Sequence, residues 1–332
     1  MIKRALIIQT ASLGDVILAT SLLEKLHENY PKARLEFLIK QGYEGLFKDH
    51  PYLTRLWVWD KSERKYDNLR AIIREVRARK FDVVINLQRY AATGLITAMS
   101  KAPVRIGFSK NPLSIFFTHR IKHLIGNAEQ MIHETDRNQK LIAHLTDQIP
   151  SRPALYPRKT DFAKVSGFKT KAFICIAPAS LWFTKQFPKE KWVSFLQQLD
   201  EHLHVYLLGG SADKELCDSI IQASAHSNSI NLAGKLSLLE SAALMRDAKM
   251  NFVNDSAPMH LCSAVDAPVT AIYCSTVPAF GFGPLSSDSE IVQTSEQLDC
   301  RPCGLHGWQS CPKKHFRCAK TISVNQLLLR IR

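Results

Sequence analysis

Short apolar runs alternate with amphipathic stretches along this chain, and the alternation starts afresh halfway. The first set of strand-like runs is Ala5–Gln9, Arg34–Ile39, Leu56–Trp59 and Val83–Leu87, with helical patterns at Val16–Glu28 and Tyr66–Arg79. Strand, helix, strand repeated in this way predicts a parallel sheet with helices on both faces. The stretch Ser151–Gly167, rich in Pro and polar residues, reads as a linker. Beyond it come strand runs at Ala172–Ala177, Val205–Leu208, Asn251–Val253 and Val269–Tyr273. Helical patterns lie between and beside them, at Lys189–Asp200, Lys214–Ala223, Leu238–Arg246 and Pro258–Val265. The expected architecture is α/β: two Rossmann-like domains, 1–160 and 161–332, with a ligand cleft between them facing the carboxyl ends of the strands.

Length agrees, because 332 residues make about two domains of ordinary size. With 45% hydrophobic and 22% charged residues there is apolar material for two cores. No tract is long and apolar enough to span a bilayer, and the apolar run after Lys3-Arg4 is too short for a signal peptide. A cytoplasmic protein is expected. The net charge of +14 is lopsided: residues 1–160 hold 27 Lys and Arg against 15 Asp and Glu, residues 161–332 hold 17 against 15. Such a field suits an anionic partner for the first half, whether nucleic acid, acidic lipid or a phosphorylated sugar; a solvated basic surface is the plain alternative.

Four cysteines crowd the tail, Cys300, Cys303, Cys311 and Cys318, with His306 and His315 nearby. Without a secretion signal a disulfide framework is not expected. The single Cys-x2-Cys is compatible with zinc, but the second pair has atypical spacing, and a loop of reduced or packed thiols is the plainer reading.

Three segments carry candidate chemistry. The first strand runs into Ser12-Leu13-Gly14-Asp15-Val16, which has neither the dinucleotide glycine pattern nor a phosphate-binding loop. Gly14 at such a turn lets another molecule approach the backbone. Asp15 falls in the first helical turn, where a carboxylate also simply complements the helix dipole. The second segment, Ala177 to Pro188, follows the first strand of the second half; its Lys185 is placed to meet phosphate as a point charge, or is one exposed lysine among many. The third is Asn254-Asp255-Ser256-Ala257-Pro258-Met259-His260-Leu261. Asp255 or Ser256 is a candidate helix cap, Pro258 suits the first turn, and the free N–H groups there favour phosphate.

In this order the segments resemble glycosyltransferase family 9, the lipopolysaccharide heptosyltransferases. The family's Ser-Leu-Gly-Asp opening is matched at Ser12–Asp15, its Trp-x-Thr-Lys-x-Trp/Phe-Pro pattern at Trp182–Pro188, and its Asn-Asp-Ser-Gly-x-x-His-Leu signature at Asn254–Leu261, with Ala257 in place of Gly. Val104–Phe108, Gly209-Gly210-Ser211 and Leu232–Glu240 look like family segments too. The resemblance spans nearly the whole chain and leans to the heptosyltransferase II type. It implies a two-Rossmann glycosyltransferase that needs no metal or cofactor and inverts its donor, typically ADP-heptose. It makes Asp15 the general base, beside Ser12 and Gly14. Lys185 neutralises the departing diphosphate, the Ser256 and Ala257 backbone holds the same phosphates, and Ser180 adds a hydroxyl contact. Asp255 and His260 line the donor site, and Leu236 packs on the base near Gly234. The basic first domain receives an anionic glycolipid, the lipid A core, with Arg89 and Arg105 as candidate contacts that each have a structural alternative. Such an acceptor implies peripheral contact with the inner face of the inner membrane. Ala257, tolerable where φ is negative, and Pro178-Ala179-Ser180 depart from the pattern and leave a different donor sugar open as an alternative to heptose.

Three other classes compete. A nucleotide-sugar epimerase would share the architecture but has no need of the charged first half. A nucleic-acid-binding protein would suit the pI near 9.4, yet no helix-turn-helix, zinc-finger or RNA-binding signature is present. A catalytically silent sugar-binding relative would be indifferent to loss of Asp15.

Overall fold

The computed structural model describes residues 2–127 and 130–331. The chain divides into two compact units, Met1–Tyr156 and Pro157–Arg332. Met1 and Arg332, the outer ends of the two expected domains, lie outside the described residues.

The first unit runs β1 (Arg4–Ile8), α1 (Leu13–Asn29), β2 (Arg34–Lys40), β3 (Leu53–Trp59), α2 (Lys65–Arg79), β4 (Val83–Asn86), α3 (Ala91–Met99), β5 (Val104–Phe108), β6 (His119–Ile121) and α4 (Glu134–Ile142). Its strands lie in the order β3-β2-β1-β4-β5-β6, every pair parallel. The second unit runs α5 (Lys159–Val165), β7 (Phe173–Ala177), α6 (Lys189–Leu196), β8 (His204–Leu207), α7 (Lys214–Ser224), β9 (Ser229–Asn231), α8 (Leu238–Arg246), β10 (Met250–Asn254), α9 (Ala257–Ala264), β11 (Val269–Tyr273), β12 (Ser289–Gln293), α10 (Arg317–Lys320) and α11 (Val324–Leu328). Its order, β12-β11-β10-β7-β8-β9, is again all parallel. Counted from the first strand of each sheet, both read third, second, first, fourth, fifth, sixth. This is the doubly wound Rossmann order, repeated.

The central strands are apolar without alternation because helices cover both faces. Ala5, Leu6, Ile7 and Ile8 are fully buried, as are Ile174, Cys175 and Ile176. Leu6, Ile8, Trp57, Trp59 and Val84 join Ile72 and Val76 of α2 in one core. Ile174, Ile176 and Phe252 pack with Trp192 and Phe195 of α6 in another, which also takes in Ala319, Ile322 and Leu327 of the tail. In such sheets the chain leaves adjacent strands in opposite directions at one point, opening a crevice at their carboxyl ends. That point is β1/β4 in the first unit and β7/β10 in the second. No helix among the described residues is long and apolar enough to cross a membrane.

The linker reading of Ser151–Gly167 needs correction. Residues 151–158 are irregular, but 159–165 form α5, held at its start by Arg158, whose guanidinium grips Asp161 at 2.9 and 3.0 Å. This helix packs on α8, where Lys169 bonds Asp247 at 2.5 Å. The Pro-rich composition marks only the irregular part.

The irregular part is tied along α1 of the first unit. Ala154 N donates to Thr20 Oγ1 at 2.9 Å, and Tyr156 Oη donates to Glu24 Oε2 at 2.8 Å. Burial pushes the Glu24 carboxyl up to about 7, opposed by the Tyr156 hydrogen bond and reinforced by Glu28. The unfolded chain then releases this proton at lower pH than the fold does. Stability is therefore lost as pH rises from the ordinary carboxylate range through about 7. Glu24→Gln, which keeps an acceptor for Tyr156, should raise the midpoint of thermal unfolding by roughly 2–4 °C at pH 8 and leave it unchanged at pH 4.5. Equal effects at both pH values would show that Glu24 is not the titrating group.

Candidate functional site

In the first unit the crevice end of β1 continues as Gln9-Thr10-Ala11 into Ser12, the N-cap of α1. Ser12 Oγ donates to Asp15 Oδ2 at 2.5 Å, Ser12 N donates to the same oxygen at 3.2 Å, and Asp15 N donates back to Ser12 Oγ at 3.4 Å. This capping box fixes the carboxylate at the helix start. It engages only one oxygen: among the described residues no group donates to Oδ1, so a hydroxyl of another molecule can. Gly14 is buried in the first turn and adopts ordinary helical backbone.

Around this carboxylate the fold gathers charges that the sequence reading missed. Glu134, the first residue of α4, is buried and ion-paired with Arg137 at 2.5 Å. Burial pushes its carboxyl up; Arg137 opposes this, the Asp15 charge adds to it, and Arg89 opposes it. His123 is pushed down to about 4 by burial, then by Arg89, Arg137 and Lys110, so it is neutral at pH 7. Lys61 donates to Thr10 O at 2.9 Å and Thr10 Oγ1 at 2.8 Å, and Thr10 in turn donates to Gln88 Oε1 at 2.7 Å. Burial and the neighbouring Lys40 and Lys65 lower its ammonium to about 8. Arg89 is exposed among these groups. Arg105 is not free to join them: its guanidinium donates to Ala102 O and Phe116 O, closing the chain before β6. No local pattern in the sequence distinguishes Lys61, Glu134 or Arg137; only the sheet order brings them beside β1.

In the second unit β7 leads into the loop 178–188, and β10 into Asp255 and α9. Buried Asn254 joins the two: its amide donates to Pro178 O at 2.7 Å, and its Oδ1 accepts from Phe187 N at 2.9 Å. Gln186 Nε2 holds Ser180 O at 2.6 Å. Lys185 Nζ then lies 2.7 Å from Asp255 Oδ2, the two side chains only 15% and 7% exposed. Thr276 Oγ1 donates to the same oxygen at 2.7 Å. Lys185 is therefore no stray surface lysine, and Asp255 is its counter-ion.

Ser256 occupies the N-cap of α9 but makes no side-chain capping bond; its hydroxyl turns back to Asn254 O at 3.3 Å. The expected cap by Asp255 or Ser256 thus gives way, because Asp255 is committed to Lys185. Pro258 has no N–H and Met259 N donates to Ser256 O at 3.0 Å, so among the described residues the Ala257 N–H is the first-turn donor left for a ligand. Ala257 begins the helix outside the left-handed region, so its methyl carries no conformational penalty. His260 is buried, edge-on to Phe282. Gly234 has φ +74°, and a Cβ there would come within 2.9 Å of the Ser211 backbone, so glycine is required where Leu236, half-buried, follows.

The tail closes on the lysine turn. Thr184 N donates to Trp308 O at 3.0 Å, Trp308 N donates to Thr184 Oγ1 at 2.8 Å, and Ser275 Oγ donates to it at 3.0 Å. Among the described residues no three His, Cys, Asp or Glu side chains are disposed to hold a metal ion. Cys300 Sγ lies 3.8 Å from His315 Nε2, and Cys318 is buried, its thiol pushed up to about 11 by burial. The geometry does not carry the zinc reading of this tail; its visible role is packing.

The model of glycosyltransferase family 9 (heptosyltransferase) matches residues 69–307. In sequence the chain is similar to lipopolysaccharide heptosyltransferase 3 of Escherichia coli strain K12, 26% identical over 80% of this chain and 81% of that protein. It is also similar to lipopolysaccharide heptosyltransferase 1 of Campylobacter coli, 22% identical over 88% and 90%. Among solved structures, a family 9 glycosyl transferase from Veillonella parvula superposes with a TM-score of 0.83 at 22% identity, covering 99% of this chain and 95% of that one. The E. coli ADP-heptose lipopolysaccharide heptosyltransferase II gives 0.79 at 19% identity, covering 99% and 97%.

Proposed function

The chain belongs to glycosyltransferase family 9, and from that premise we propose that it moves a heptose from ADP-heptose onto the inner core of lipopolysaccharide, inverting the donor's anomeric carbon without a metal. The observation that carries this reading is the cradle of the second unit. A half-buried lysine, held 2.7 Å from its carboxylate partner, stands beside a helix N-terminus that no side chain caps. Fixed cationic and N–H donors of this kind stabilise a departing diphosphate without a reorganisation cost. Leu236 and Gly234 receive the nucleotide base, and Ser180 and His260 complete the donor pocket.

The first unit handles the acceptor. The free oxygen of Asp15 accepts the proton of the acceptor hydroxyl as that oxygen bonds to the anomeric carbon. The bond from that carbon to the diphosphate breaks, and ADP leaves with the electron pair. Ser12 orients the carboxylate through its other oxygen. Arg89 and Lys61 meet the acidic groups of the acceptor, while Arg105 holds the backbone. An acceptor of this kind is a membrane-borne lipid, so the enzyme works at a bilayer surface.

Calorimetry with ADP, UDP, GDP, CDP and NAD, in the absence of divalent metal, tests the donor. Preference for ADP is expected. Preference for another nucleoside diphosphate would replace the sugar, and binding of NAD alone would overturn the reading.

A further inference from the structure

The edge of the first sheet carries an unusual surface. β6 is its last strand, and the chain before and after it exposes large apolar side chains: Ile115 is 70% exposed, Phe116 53% and Met131 65%, with Leu124 and Ile125 also exposed. Single exposed apolar residues are ordinary, but five in the segments that flank one edge strand are not.

The fold presents these side chains firmly. Phe117 turns inward against Gly107, where a Cβ would sit 2.5 Å from its ring. Phe116 consequently points away from the core, its carbonyl pinned by Arg105 Nε at 2.9 Å. Phe117 N bonds Ser114 O at 2.9 Å, and Ser114 Oγ bonds Ser109 O at 3.0 Å, closing the turn that carries Ile115.

Charge singles out one partner. Between residues 109 and 131 the sequence has Lys110, Arg120 and Lys122 against a single carboxylate, Glu129. All three cations are exposed. Apolar side chains that can enter the acyl boundary, flanked by cations that meet anionic headgroups, suit a negatively charged bilayer. The same edge leads to the acceptor half-site. His123, one residue before Leu124, lies in the field of Arg89 and Arg137, and Arg137 pairs with Glu134 beside Asp15.

We propose that the β6 edge of the first unit, led by Ile115 and Phe116, is the face by which this protein docks on an anionic lipid bilayer. This rests on the reading that the acceptor is a membrane-borne lipid.

The test is co-sedimentation with vesicles of phosphatidylglycerol and phosphatidylcholine, compared with phosphatidylcholine alone. The wild-type protein should bind the anionic vesicles and lose them as salt rises. The double variant Ile115→Asp, Phe116→Asp should partition about tenfold less, with unchanged thermal unfolding. It should transfer sugar to a soluble, delipidated core acceptor within about twofold of wild type, yet about tenfold more slowly to acceptor held in vesicles. Three results would overturn the proposal: unaltered partitioning of the double variant, equal wild-type binding to both vesicle types, or a concentration-dependent dimer that the substitutions dissolve. If neither protein glycosylates any core acceptor while their vesicle binding still differs, the acceptor reading fails and the docking face stands.

Discussion

Asp15→Ala is expected to lower sugar transfer by roughly 10²–10⁴-fold, the range over which positioned general bases contribute. The proposed role rests on a carboxylate with one oxygen fixed by Ser12 and the other open. The acceptor hydroxyl is a weak nucleophile, and without a base its proton must leave unaided. ADP binding, measured by calorimetry, should stay within about threefold of wild type, because the proposed donor cradle belongs to the second unit. Asp15→Asn separates the base from the cap. An amide oxygen still accepts the Ser12 bonds, so α1 keeps its start, yet it takes no proton, and activity should remain lost. Full activity in Asp15→Asn would remove the base assignment and leave Asp15 a structural residue of the first turn of α1.

The second large effect concerns Lys185. Lys185→Ala should weaken ADP binding by at least about tenfold and lower kcat by about 10²–10³-fold, as for loss of a donor that stabilises a leaving group. The substitution also leaves the buried Asp255 carboxylate without its cation, which costs stability in its own right. The double variant Lys185→Met, Asp255→Asn serves as control, since it removes both charges and leaves no lone ion. Thermal unfolding should recover toward wild type while ADP affinity stays low. Recovery of both would mean that Lys185 acts only by keeping the loop folded.

The two halves, their parallel sheets and the three motif segments were legible in the sequence. Apolar strands buried on both faces write themselves as unbroken runs, and helices facing a core write a period near 3.6. What stayed hidden was what tertiary pairing makes apolar in effect. α4, Glu134–Ile142, carries two acids, two bases and three further polar residues before its first aliphatic side chain, yet Glu134, Thr135, Arg137, Asn138 and Gln139 are buried. Glu134 and Arg137 pair with each other, and Gln139 Nε2 donates to Thr146 Oγ1 at 3.0 Å and to Asp147 O, so the buried face is polar and leaves no apolar stripe. The edge strands β6 and β9 have three residues each, and they and β12 are only partly buried and give no run to read.

The same division holds at the site. The sequence by itself determined that Asp15 follows β1, that Lys185 follows β7 and that Ser256 precedes a helix, because each lies next to its strand along the chain. Only the tertiary structure decided that Asp255 is the counter-ion of Lys185 and so leaves α9 uncapped. It alone placed Lys61 under Thr10, spent Arg105 on backbone carbonyls, and laid the Trp308 loop over Thr184. Arg105 bonds carbonyls three and eleven residues away; the other pairs join groups far apart in the chain, and what joins them is strand order, which sets neighbours across a sheet irrespective of their distance in sequence.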